Sequence, residues 1–402
     1  MGLDQMVAPL SRKRILFLSQ VHPDFLAPIY SMSNVLEESG WNVDVFSYAS
    51  PAAAAEDLGN GIRIHVGGIS GGGVFARMRV RRNYRRQVEM WVRQHPPDAI
   101  ISVCPFSFLE ALRVSKGKIP VIFHAFETYD YPVGRRFFNS PASNLRNFRA
   151  LRRLGKAVLV STPSSERSGW LAGRAKLQRI PTTVINAPDD SLYRTIESRR
   201  KETLDRLLPQ RFIGRPITIN TGNVSPTQAI RELIESVVHW PREACLVVTN
   251  VREDSYAREI RDLTDDSPRR EDIFLLPLLP RREMLALQSS SSIGVCLLRE
   301  QDALETKMPA PNKVGEYLHG GLLVLGTRMR YLDQLEQQGV AVLSNSLEPS
   351  DIGRAMTQAV ARLANPKLRE EIFDFARSHY CMKEQIRPIL QVLNRVANEN
   401  VV

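Results

Sequence analysis

Pro309-Ala-Pro-Asn312-Lys313-Val-Gly-Glu316-Tyr-Leu-His-Gly320-Gly321-Leu-Leu-Val-Leu-Gly-Thr327 is the stretch from which the rest of the chain can be ordered. A loop with two prolines leads into an amphipathic turn of helix that carries Asn312, Lys313 and Glu316. Gly320-Gly321 is expected to end that helix, and the apolar run Leu322 to Leu325 reads as a short buried strand. The first N–H groups of a helix are unpaired and its dipole is positive there, so anions collect at that end. A carboxylate one turn further in can accept hydrogen bonds from sugar hydroxyls. One short helix thus offers a phosphate contact and a ribose contact on the same face.

Outward from this stretch, 402 residues suggest two or three domains, each large enough for a core. A hydrophobic share of 43% and a charged share of 24% belong to a soluble globular chain. Cys104, Cys245, Cys296 and Cys381 are far apart and form no metal or redox spacing, so reduced thiols in a cytoplasmic protein are expected. The opening MGLDQMVAPLSRKR lacks the charged-then-apolar order of a signal peptide, and no apolar run approaches the length of a membrane span. No Asp-x-Asp occurs; Asp189-Asp190 and Asp265-Asp266 read as turns, and no metal is expected.

The net charge of +11 is unevenly placed. Residues 1–187 hold 25 Lys and Arg against 13 Asp and Glu, whereas residues 188–402 hold 29 against 30. The excess belongs to the first half, which points to an anionic partner there. A membrane surface or a phosphorylated acceptor fits; nucleic acid shares the charge signature, but no reading motif accompanies it.

Apolar runs alternate with helical patterns along the chain. Arg14–Gln20, Trp41–Tyr48, Ile62–Val66, Ala99–Val103, Val121–Phe126, Ala157–Val160 and Thr183–Ile185 form one series of strands. After a pause near Asn186–Asp190 comes a second: Ile217–Asn220, Cys245–Thr249, Ile273–Leu276, Ile293–Leu298, Leu322–Leu325 and Val340–Leu343. Repeated βαβ units imply parallel sheets. The economical reading is an α/β protein of two Rossmann-like doubly wound domains facing a cleft, residues 1–187 and 188–382, followed by a helix in 383–402. Ala52–Ala55 and Gly67–Gly73 read as connections between elements. Ligands in such sheets sit beyond the C-terminal strand ends.

In order and content these motifs resemble the GT-B glycosyltransferases, specifically the large retaining group 1 / family 4-like family that uses nucleotide diphosphate sugars. Pro309–Thr327 looks like that family's donor signature, with weaker matches at Arg14–Gly40, Val184–Pro188, Thr221-Gly222 and Asp272–Pro277. The resemblance implies an N-terminal acceptor domain, a C-terminal donor domain and a last helix that returns to the first. It implies that Glu316 binds ribose, that backbone at Leu276–Leu278 faces the base, and that Asn312 and Lys313 lie near the diphosphate or sugar, though Asn312 also suits a helix N-cap. Gly222 and Asn223 fall in the loop that grips the diphosphate. The chain departs from the family in three places. Met308 stands where a first glutamate is usual, Glu305 being three residues too early. The family's Arg and Lys in the diphosphate loop are replaced by Asn223 and Gln228, and Asp24–Pro28 replaces a glycine pair. A diphosphate leaving group needs positive charge beside it, which leaves Lys313, Arg299, Lys307 and the helix N-terminus.

His124 and Glu127, at the end of the strand Val121–Phe126, are the candidate catalytic residues; His124 corresponds to a position near the donor sugar, and Glu127 or Asp130 could act as a base in an inverting reaction. His22 and Asp24 suit either the cleft or a turn, as Ser161–Glu166 suits a helix start. Seven arginines crowd Val74–Gln94, where Tyr84, Val88, Trp91 and Val92 make an apolar stripe that Arg77, Arg81 and Arg85 interrupt. Those three, with the basic and aromatic stretch Arg135–Lys156, are expected to meet acceptor or an anionic membrane. The expected activity is transfer of a sugar from a UDP or GDP sugar, with retention and without a cofactor, to a lipid-linked or cell-surface glycan at the inner membrane face. A soluble acceptor, or a non-catalytic scaffold that has lost its cations, are the alternatives. Glu316→Ala is expected to abolish transfer in a folded protein.

Overall fold

Strands form at each apolar run, within a few residues of the expected limits. The structure, a computed structural model, describes residues 13–20, 27–48, 62–66, 74–127, 141–196, 198, 200–299 and 310–399. His22, Asp24, Asp130, Glu305, Lys307, Met308, the loops 52–55 and 67–73 and the segment 135–140 lie outside the described residues, as does the side chain of Arg77.

The chain divides into two compact units, Met1–Val184 with Ile386–Val402, and Ile185–Gln385. The first opens with β1 (Arg14–Ser19), α1 (Ala27–Glu38), β2 (Asn42–Ser47), β3 (Arg63–Val66) and α2 (Val74–Gln94). It continues with β4 (Ala99–Ser102), α3 (Pro105–Ser115), β5 (Val121–His124), α4 (Pro141–Leu151), β6 (Leu159–Thr162), α5 (Ser165–Ala175) and β7 (Thr182–Thr183). The second unit starts with α6 (Asp190–Ile196), α7 (Arg200–Leu207), β8 (Ile217–Asn220), α8 (Ile230–Ser236), β9 (Cys245–Val248) and α9 (Ser255–Asp265). Next come β10 (Ile273–Leu275), α10 (Arg281–Ser289), β11 (Ile293–Cys296), α11 (Asn312–His319) and β12 (Leu323–Thr327). It closes with α12 (Arg330–Gln337), β13 (Ala341–Ser344), α13 (Pro349–Arg362), α14 (Leu368–His379) and α15 (Met382–Gln385). The last helix, α16 (Arg387–Glu399), belongs to the first unit, where Lys13 Nζ donates to Asn398 Oδ1 at 3.3 Å.

All described strand pairs are parallel, in the orders β3-β2-β1-β4-β5-β6-β7 and β10-β9-β8-β11-β12-β13. Both are doubly wound, and strand order reverses between β1 and β4 and between β8 and β11. Helices cover both faces of such a sheet, so its strands are buried throughout and read as unbroken apolar runs; every residue of β4, β5, β8, β9, β11, β12 and β13 is buried. In such sheets ligands bind beyond the carboxyl ends of the strands at the reversal, which in the second unit is the end of β8 and β11.

Candidate functional site

Tyr317 anchors α11 to that reversal. Gly294 of β11 leaves space for its ring, because a Cβ there would lie 2.3 Å from Tyr317 Cγ. The phenol accepts from Thr221 N at 3.0 Å and donates to Val295 O at 3.2 Å, which fixes the helix across the ends of β8 and β11. Burial pushes the Tyr317 hydroxyl far above its ordinary pKa, so it stays a neutral donor. Gly321, at φ 70°, then turns the chain into β12.

Glu316 is buried and already partnered. Its Oε1 accepts from Arg281 Nη2 at 2.9 Å and its Oε2 from Gln288 Nε2 at 3.4 Å, while Gln288 also donates to Thr221 Oγ1 at 2.9 Å. Tyr193 Oη donates to the Glu316 carbonyl at 3.2 Å. Arg281 and Gln288, both on α10, were not singled out in the sequence. A carboxylate has about four acceptor positions, so Glu316 keeps capacity for a diol.

Lys313 is mostly buried, and its Nζ donates to Gln228 Oε1 at 2.8 Å and Asn220 Oδ1 at 3.2 Å. Among the described residues no carboxylate pairs with it. Burial pulls its pKa below that of a free lysine, with the nearby Cys296 thiol opposing weakly. A cation held only by neutral amides is a charge without a counter-ion. Gln228, the residue that departs from the family's lysine, is one of the two acceptors that position it. The amide nitrogen of Asn220 is buried and without a hydrogen-bond partner beside it.

Asn312 is the first helical residue rather than the cap: Pro311 occupies the N-cap position without a side-chain bond, so the leading N–H groups of α11 have no capping side chain. Asn312 Oδ1 accepts from Asn186 Nδ2 at 2.9 Å. Gly222, at φ 97°, and Asn223 are exposed in the loop after β8, and Asn250 Nδ2 ties that loop down through the Gly222 carbonyl at 2.9 Å.

Two donor candidates have partners within the fold. Leu276 donates its N–H to Val248 O at 2.8 Å, and its carbonyl accepts from Val251 N at 3.0 Å. Leu278, 57% exposed in the same loop, is the accessible neighbour. Arg299 forms an ion pair with Glu232, so its charge is matched within the fold. Lys313 thereby remains as the uncompensated cation among the described candidates.

In the first unit His124 ends β5, fully buried, with Nδ1 2.8 Å from Ser161 Oγ and its ring edge-on to Phe126. Glu127 follows it, more than half exposed, 3.7 Å from the guanidinium of Arg167. Arg167, buried at the start of α5, also donates to Phe126 O at 2.5 Å. A buried arginine at the ends of β5 and β6 went unnoticed in the sequence, where Ser161–Glu166 reads as a helix start; Ser164 is indeed the cap of α5.

The arginines of α2 also differ from expectation. Arg81 and Arg85 meet an anion inside the fold: Glu110 of α3, 1% exposed, binds Arg85 through two hydrogen bonds, lies 4.0 Å from Arg81, and accepts from Arg113 Nε at 2.9 Å. The interruption of the apolar stripe thus meets a buried carboxylate whose arginine partners reach solvent, while Tyr84, Val88 and Trp91 dock as expected. Arg79, Arg82, Arg86 and the exposed Met90 share the opposite face at helical spacing. On α4, Leu145 and Phe148 are about half exposed beside Arg149 and Arg152, the latter stacked over Phe148 at 5.6 Å. Arg81 and Arg146 both lie over Phe106, at 5.3 and 5.7 Å, so α2 and α4 meet at the start of α3.

Known structures share this architecture. HepE of Anabaena, in complex with UDP and glucose, superposes with a TM-score of 0.69 at 15% identity over 95% of this chain and all of that one. Sucrose-phosphate synthase of Thermosynechococcus elongatus gives 0.69 at 14% identity over 96% of this chain and all of that one. A glycosyltransferase of Rickettsia africae gives 0.70 at 11% identity over 96% and 99%. The fold is GT-B. The model of Glycosyltransferase Family 4 matches residues 29–188, in the first GT-B unit, whereas the donor-signature resemblance lies in the second. No curated protein matches in sequence. No helix among the described residues is long and apolar enough to cross a membrane, and no group of three metal-ligating side chains occurs among them.

Proposed function

We propose that this GT-B protein is a glycosyltransferase that takes a sugar from a nucleoside diphosphate sugar bound at the end of β8 and β11. The observation that carries the reading is Lys313, a buried ammonium held by Gln228 and Asn220 with no described carboxylate in reach. A diphosphate is the missing counter-ion. Its developing charge on bond cleavage would be stabilised by Lys313 and by the uncapped N–H groups of α11. Glu316, oriented by Arg281 and Gln288, would accept from the ribose hydroxyls, and Leu278 would lie against the base. The UDP and UDP-glucose in the HepE structures favour a UDP sugar as the first donor to test. No cofactor or metal is invoked. Titration of a panel of UDP and GDP sugars by calorimetry tests the reading. Micromolar binding of one donor, lost in Lys313→Met, is expected; no binding of any would leave the scaffold alternative.

The acceptor side is proposed to be a lipid-linked glycan reached from an anionic membrane surface, with α2 and α4 as the docking face and with His124, Glu127 and Arg167 at the strand ends. Arg79, Arg82 and Arg86 beside Met90, and Arg149 and Arg152 beside Leu145 and Phe148, pair exposed cations with exposed apolar side chains, as a headgroup layer requires. Reversing Arg79, Arg82 and Arg86 to Glu should abolish sedimentation with phosphatidylglycerol vesicles. Full activity on a soluble acceptor, with no vesicle binding by the wild type, would favour the soluble-acceptor alternative.

A further inference from the structure

The second unit holds another basic cavity, away from the ends of β8 and β11. It is a half-open hollow of about 630 Å³ between α6, α7, α10, α11 and α14, a volume that suits a small metabolite. Four guanidiniums line it, from Arg194, Arg200, Arg369 and Arg377, against the single carboxylate of Asp190. Two of the four have a structural task. Arg200 donates to Ser289 O, and Arg369 donates to Ser289 O at 2.6 Å and Gly320 O at 2.7 Å, so both cap helix C-termini. Arg194 and Arg377 are exposed, and each sits in the last turn of its own helix, where a cation suits the dipole; Arg377 also lies 3.9 Å from the exposed Asp374, a weak surface pair. The dipole explains each singly, but not the convergence of four like charges on one cavity, which costs electrostatic energy in the empty protein. Asp190, 3.0 Å from His319 Nε2, is one carboxylate against four guanidiniums and offsets only part of it. Its pKa is lowered, first by the His319 hydrogen bond against the opposing effect of burial, and then by the charges of His319, Arg377 and Arg194.

We infer that this cavity is a second anion site, which binds a small phosphorylated molecule between Arg194, Arg200, Arg369 and Arg377. Guanidiniums match phosphate oxygens in a planar, two-pronged fashion, and Phe373, covered on one face by Arg369 at 5.4 Å, supplies an apolar wall. The walls also hold the backbone of α11. Tyr193 donates to Glu316 O, His319 Nδ1 lies 3.0 Å from Gly315 O, and Arg369 reaches Gly320 O. An anion that draws on Arg369 or on the Asp190–His319 pair acts on the helix that carries Lys313 and Glu316. Regulation of donor binding is the consequence. That consequence rests on the donor-site reading; the binding itself does not.

Inorganic pyrophosphate is the probe, titrated calorimetrically into the full chain carrying Lys313→Met, so that the donor site contributes little. One equivalent should bind, and adding Arg194→Gln and Arg377→Gln, both at exposed positions, should weaken binding at least tenfold while the urea denaturation midpoint stays near that of the parent. Hydrogen exchange at residues 315–320 should slow with pyrophosphate in the first protein and not in the second. Absence of binding in Lys313→Met, or equal affinity after the two arginine substitutions, overturns the site. Binding with unchanged exchange at 315–320 overturns the coupling.

Discussion

Replacing Lys313 by Met separates two quantities that a structural lysine would lose together. In the empty protein the ammonium is taken from water at a cost of several kcal/mol. Two charge-assisted hydrogen bonds, to Gln228 at 2.8 Å and Asn220 at 3.2 Å, return about 1.5–3 kcal/mol each. Methionine preserves the aliphatic stem and removes both terms, so the empty protein should change stability by less than about 2 kcal/mol in urea denaturation. Binding behaves differently. A desolvated ammonium–phosphate pair loses about 2–5 kcal/mol when one partner is truncated, which is roughly 30- to 4,000-fold in Kd. The sign of the pH dependence follows from the lowered pKa. The unfolded chain holds this proton more tightly than the fold does, so stability rises with pH between the depressed native pKa and the ordinary lysine value of 10.5. Wild type should therefore gain on Lys313→Met as pH climbs through that window, and donor affinity should fall there in the wild type alone. A variant that binds UDP, GDP and their sugars within threefold of wild type would refute the counter-ion argument. A loss of more than about 4 kcal/mol in the empty protein would show a structural lysine instead.

Glu316→Ala is a poor test of the ribose contact, because it leaves Arg281 with its near-buried carboxylate partner gone and should cost about 3–5 kcal/mol of stability. Glu316→Gln keeps the shape and should lower donor affinity at least tenfold with a smaller stability loss; equal affinity by calorimetry would remove Glu316 from the site. Glu110→Ala removes the buried carboxylate shared by Arg81, Arg85 and Arg113, but these arginines reach solvent, so the first unit should lose only about 1–3 kcal/mol, read as a lower denaturation midpoint. Donor affinity in the second unit should stay as it was, and a parallel loss there would show that the cluster does more than hold α2.

The doubly wound architecture was legible because strands buried on both faces, such as Cys245–Val248 and Leu323–Leu325, read as nearly continuous apolar runs. Lys313 and Glu316 were legible because helical spacing puts them close together on α11. What surrounds them was not. Arg281 and Gln288 lie 35 and 28 residues before Glu316, and nothing local in an Arg-Arg-Glu helix start marks one side chain as turned inward. Glu110 shows the same limit, with one faint signal. A lone acid within Phe-Ser-Phe-Leu-Glu-Ala-Leu, in a half of the chain rich in arginine, is an expensive burial unless several cations converge on it.

Gln228 carries the argument furthest. In the sequence it counts as a missing cation and weighs toward a lost activity. In the fold its amide oxygen accepts from Lys313 at 2.8 Å, and a lysine in its place would set two ammonium groups against each other. The pair Gln228 and Lys313 is thus electrostatically coherent, where Lys at both positions would need an anion merely to fold quietly. A diphosphate responds to the field at its oxygens and not to the chain position that supplies it. Motif residues absent from one loop are therefore weak evidence of lost chemistry until the nearest cation in space has been found, and here it sits one turn of α11 from Glu316.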